Sequence, residues 1–108
     1  MAAVLNDMSR GQREIVKAVT EALHVTWPDL TARTRGPREV SDARRVLIAL
    51  LHRDLGMGYS QIGRFVGRTP QDVRHSVNAF YRDRTEAQDR AYGRVMDQLV
   101  PAPPRPTG

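Results

Sequence analysis

Tyr59-Ser60-Gln61-Ile62-Gly63-Arg64-Phe65-Val66-Gly67-Arg68-Thr69-Pro70-Gln71-Asp72-Val73-Arg74-His75-Ser76-Val77-Asn78-Ala79-Phe80-Tyr81-Arg82 is the stretch that decides how this chain folds. It reads as two amphipathic helices around one tight turn. Ile62 and Val66 give the first, over about 59–66, an inward face. Gly67 to Thr69 form the turn. Thr69 then caps a second helix over about 70–82, with Pro70 at its first position and Asp72 at the third. Val73, Val77 and Phe80 form its inner face. On a wheel of about 100° per residue, Gln71, His75, Asn78 and Arg82 lie within about 40° of the pole opposite Val73, with Arg74 on the flank. A short helix, a glycine turn and a second helix with an exposed polar start make the helix-turn-helix pattern.

The flanks also read as helices. Ser9 and Gln12 have capping-box spacing ahead of a helix over about 10–23, which carries Ile15, Val16, Ala18, Val19, Ala22 and Leu23. Residues 1–8 have no strong period and read as a frayed start. Thr26 caps a short helix with Pro28 in its first turn and Trp27 and Leu30 as apolar anchors. Residues 31–40 read as a basic loop around Gly36-Pro37. Ser41 then caps a helix over about 42–55 whose buried stripe is Ala43, Val46, Leu47, Leu50, Leu51 and Leu55. Thr85 and Gln88 repeat the cap spacing before a last helix over about 86–99, which buries Ala87, Ala91, Val95 and Leu99. No segment alternates like a strand. The expected fold class is therefore all-α, a compact bundle of about six helices spanning residues 1–100 as one domain. Four of the eight residues 101–108 are proline, the composition of a linker or tail with a further C-terminal domain beyond it.

Charge narrows the function. The net charge is +5, and Lys17 is the only lysine. A GC-rich genome accounts for arginine over lysine, but not for where the arginines fall. Residues 33–84 hold eleven arginines against five acids, Glu39, Asp42, Asp54, Asp72 and Asp83. That local excess exceeds the charge of the whole chain and fits a polyanionic partner. There is no cysteine, hence no disulfide, thiolate metal site or cysteine nucleophile. His24, His52 and His75 are too dispersed for a metal cluster. No paired carboxylates or phosphate-binding glycine loop suggest an enzyme. No cofactor, metal, catalytic residue or small-molecule substrate is expected. Without a signal peptide or a membrane-length apolar run, the expected location is the cytoplasm, at the nucleoid.

Three motifs make the chain resemble a known family. They are Val25-Thr26-Trp27-Pro28-Asp29-Leu30, then Ala43-Arg44-Arg45-Val46-Leu47-Ile48-Ala49-Leu50-Leu51 after a basic loop, then Tyr59-Ser60-Gln61-Ile62-Gly63 with Val66-Gly67-Arg68 and Val73-Arg74-His75-Ser76. Over about residues 12–99 the chain resembles the C-terminal DNA-binding domain of the bacterial replication initiator DnaA, in the Trp-repressor-like helix-turn-helix group. The resemblance implies double-stranded DNA as partner, with the second helix of the pair in the major groove and a loop arginine, Arg35 or Arg38, in the minor groove. It implies that Arg44 and Arg45 clamp backbone and that Arg68 binds phosphate at the helix N-terminus. Thr69, Gln71, Arg74, His75 and Asn78 complete the expected DNA-binding set. Gln71 suits adenine, and Arg74 suits guanine or phosphate.

The chain departs from the family in two places. The turn is one residue shorter, and the family's Asp-His-Thr-Thr run reads Thr69-Pro70-Gln71-Asp72. It also lacks the ATPase module. The expected function is thus the DNA-binding domain of a bacterial transcription regulator of phage or gene-transfer-agent type. A replication-associated accessory protein on origin-type sites is a second reading. A basic helical adaptor docking an acidic protein, such as an RNA polymerase subunit, is a third.

Overall fold

The computed structural model describes residues 7–99; residues 1–6 and the proline-rich 101–108 lie outside them, as does Val100. The described residues form six helices and no strand: α1 (Arg10–Leu23), α2 (Trp27–Thr31), α3 (Arg38–Leu55), α4 (Tyr59–Val66), α5 (Pro70–Asp83) and α6 (Glu86–Leu99). The all-α bundle expected from periodicity is the fold observed.

Helix α3 organises the rest. It packs against each of the other five helices. Its sequence explains why. Ala43, Val46, Leu47, Ile48, Ala49, Leu50 and Leu51 are all buried, so apolar residues occupy every side of the middle turns. A helix apolar all round needs cover all round. Helix α1 supplies Ile15, Val16 and Val19, α4 supplies Ile62 and Val66, α5 supplies Val73, Val77 and Phe80, and α6 supplies Val95. Trp27 of α2 meets Phe65 of α4 edge-on, with ring centroids 5.4 Å apart. Besides packing on α3, α1 pairs with α6 and α4 pairs with α5.

Side-chain caps set most helix starts. Ser9 Oγ accepts from the Gln12 N–H, and Gln12 Oε1 accepts from the Ser9 N–H. Thr26 and Asp29 do the same for α2, and Thr85 and Gln88 for α6. Reciprocal caps satisfy two main-chain donors that the helix leaves open.

Four expectations change. Helix α3 starts at Arg38, with Pro37 as its cap, and not at 42 behind Ser41. Pro37 holds φ −61° and ψ 160°, the extended cap geometry, and its carbonyl accepts from the Ser41 N–H at 3.0 Å. The basic loop therefore ends at residue 37, one helical turn earlier. Leu55 is 38% exposed and not part of the buried stripe. It sits in the last turn of α3 and lies across Gly11, where a Cβ would come within 3.0 Å of its Cδ2. Ala87 is exposed, and Gln88 is buried in its place. The Gln88 amide closes the α6 cap and also donates to Asp42 Oδ1 at 3.0 Å, tying α6 to α3. Finally, Met8 is not frayed: its side chain is buried in the core, and its carbonyl accepts from Arg13 Nη2.

Candidate nucleic-acid interface

The joint between α4 and α5 is built on two glycines. Gly67 takes φ 76°, the left-handed conformation that an L side chain resists by roughly 1–2 kcal/mol. This lets the Arg68 N–H turn back onto the Gly63 carbonyl at 2.8 Å, closing the α4 C-terminus. Gly63 allows the close approach. A Cβ there would stand 2.5 Å from the Arg68 carbonyl oxygen. Thr69 then caps α5 by accepting from the Asp72 N–H at 3.1 Å, and Pro70 opens the helix. Val73, Val77 and Phe80 are buried, whereas Gln71, Arg74, His75, Asn78 and Arg82 are exposed. The face expected from the helical wheel is thus open along the length of α5.

Beside it runs the loop 32–37, and two arginines hold it. Arg44, on the buried flank of α3, sends its guanidinium under the loop. Its Nε donates to the Leu30 carbonyl at 2.8 Å, one terminal nitrogen to the Asp29 carbonyl at 3.0 Å, and the other to the Arg35 carbonyl at 3.3 Å. Arg68 reaches over from the α4–α5 turn and donates to the carbonyls of Arg33 and Thr34 at 3.4 and 3.5 Å. Burial, and then the nearby charge of Arg68, lower the pKa of Arg44 from its usual value.

Loop, α3 and α5 enclose a cleft of about 450 Å³. Arg33, Arg35, Arg44, Arg45 and Arg68 line it, with Ser41, His75, Ser76 and one acid, Asp72. A second groove adjoins it, sharing Arg35, Ser41 and Arg45 and adding Arg38. The described residues form three ion pairs, Arg10–Glu14, Arg84–Asp89 and Arg90–Glu86, all in other parts of the molecule. Among the described residues, then, no carboxylate lies within ion-pair distance of any of the five cleft arginines. Such a concentration of unneutralised positive charge in a concavity focuses a field that attracts anions.

The expected contact residues divide accordingly. Arg35, Arg44, Arg45, Arg68 and His75 come together in the cleft. Arg38 stands in the adjoining groove, on the first turn of α3 and off the loop, so of the two arm candidates only Arg35 is on the loop. Thr69, Gln71, Arg74 and Asn78 lie on the exposed surface of α5. The position of Arg44 changes its role. At 7% exposure, with its guanidinium donated to three carbonyls, it supports the loop from below and, unlike Arg45, is not available as the backbone clamp expected of it. Arg33 was missed as a contact candidate although it shares the loop with Arg35. Ser41 and Ser76 were missed because one read as a cap and the other carries no charge.

No protein-family model, curated protein or solved structure matches the chain. Nor, among the described residues, is any group of three or more His, Cys, Asp or Glu placed to hold a metal ion. No described helix is long and apolar enough to cross a membrane.

Proposed function

We propose that the chain binds duplex DNA through a helix-turn-helix made of α4 and α5. The start of α5 enters the major groove, and the loop carrying Arg33 and Arg35 follows the backbone into the neighbouring minor groove. One observation carries this reading: five arginines without a carboxylate partner line a cleft beside the exposed polar face of α5. Helix dipole and guanidinium charge add at the same point. Arg45 and Arg68 hold phosphates, Arg35 enters the minor groove, and Gln71, Arg74, His75 and Asn78 face base edges or the groove wall. The sequence motifs that resemble the DnaA-type domain support the same reading. We read it as the DNA-binding part of a bacterial transcription regulator.

Titration of labelled duplex at several salt concentrations tests this. A footprint of roughly 5–8 phosphates gives a slope of log K against log salt of about −4 to −7. Absence of binding even at about 50 mM salt refutes the reading, and retention on an acidic polypeptide instead favours the adaptor.

A further inference from the structure

Asp72 stands out because no hydrogen bond or ion pair within the fold uses its carboxylate. Helices α1, α2, α4 and α6 begin with a glutamine or aspartate three residues after the cap. In each, that side chain closes the cap by accepting from the cap residue's N–H: Gln12 at 2.9 Å, Asp29 at 3.2 Å, Gln61 at 3.4 Å and Gln88 at 3.2 Å. Helix α2 is the nearest control. It runs Thr26-Trp27-Pro28-Asp29 against Thr69-Pro70-Gln71-Asp72 of α5, with the same cap and the same acid. In α5 only half the cap is made. Thr69 Oγ1 accepts from the Asp72 N–H, and the Asp72 carboxylate accepts nothing in return. It is exposed, lines the arginine cleft and makes no ion pair with any of its five guanidinium groups.

An uncommitted carboxylate on the first turn of the helix proposed to enter the major groove is costly for affinity. It faces a polyanion. Its place at the positive end of the helix dipole favours the fold, but the carboxylate favours binding only where a base offers it a hydrogen. In the major groove two bases offer an amine: cytosine through N4, the donor that suits a carboxylate, and adenine through N6, which stands beside the N7 acceptor that repels one; guanine offers only acceptors, and thymine an acceptor and a methyl group. The surrounding arginines offset the phosphate repulsion that all sequences share, leaving the base as the discriminating term.

Resting on the DNA-binding reading above, we propose that Asp72 is a specificity residue that accepts from a cytosine N4 amine and disfavours the other bases at that position. The test is selection from a randomised duplex pool with wild type, Asp72→Asn and Asp72→Ala, followed by affinities for the best site and its single-base variants. Wild type should require cytosine at one position, and replacing it should cost about 5- to 10-fold. Asp72→Ala should flatten that one position and leave the rest of the preference intact. Asp72→Asn should shift it towards adenine, whose N6 and N7 suit an amide. Both variants keep the main-chain N–H that makes the Thr69 cap, and circular dichroism checks their helicity. Equal gains for all sequences would mean that Asp72 is only a repulsive charge, and the proposal is then wrong. An unchanged preference in both variants overturns it equally. If wild type enriches no duplex at about 50 mM salt, the parent reading falls and this one with it.

Discussion

Replacing Arg44 with alanine separates two roles that the sequence leaves together. Within the fold, the side chain makes three charge-assisted hydrogen bonds to carbonyls. The one to Leu30 is buried, and Leu30 itself is fully buried, so water cannot readily replace the lost donor. A charge-assisted bond at a buried acceptor contributes about 1.5–3 kcal/mol. The bonds to Asp29 and Arg35 are only part-buried, so solvent recovers most of their loss. Relief of the like charge on Arg68 offsets little. The sum is about 2–4 kcal/mol of lost stability. At about 4–8 °C per kcal/mol for a domain of this size, the thermal midpoint falls by roughly 10–30 °C. Melting followed by circular dichroism reads this directly. Salt-dependent DNA titration well below the new midpoint should return a slope close to that of wild type. If the midpoint moves by under about 5 °C while the slope shrinks by about 0.9, Arg44 is a phosphate contact and its inward role is wrong.

Other perturbations test the remaining parts. Arg45→Ala removes a half-buried arginine that lines both grooves without a carboxylate partner, so it should weaken binding to every duplex and reduce the salt slope by about 0.9, with the melt little changed. Gln71→Ala should alter preference at one base pair by about 1–3 kcal/mol in competition titrations; unchanged preference moves the readout to the arm and to DNA shape. Gly63→Ala forces a Cβ against the Arg68 carbonyl and should cost about 1–3 kcal/mol by denaturant unfolding, as the turn must shift to admit it.

Legibility in the sequence followed the range of the interaction. Helices α1, α4 and α6 match their expected spans because periodicity and caps are local, while α2 runs one residue into the expected loop and α5 one residue past 82. The start of α3 was misread because Pro37 and Ser41 can each cap a helix in isolation. The choice depends on where the loop closes, a matter of tertiary geometry. Arg44 and Arg45 are indistinguishable as a pair in sequence. They part company only because the buried flank of α3 passes beneath the carbonyls at the end of α2. Gln88 was read as a cap partner, but its second bond, to Asp42, joins residues forty-six apart. The exposed face of α5 was legible because Val73, Val77 and Phe80 fix its rotation.

The Arg44 guanidinium also acts as a gauge of chain length. A single rigid plane reaches the carbonyls of residues 29, 30 and 35 at once. The side chains at 31 to 34 can vary without disturbing that measurement. A residue inserted or deleted there cannot, because it displaces one end of the span from the nitrogen that meets it. In related chains that keep an arginine at this place, the arm should therefore keep its length, and a change of length should accompany loss of that arginine.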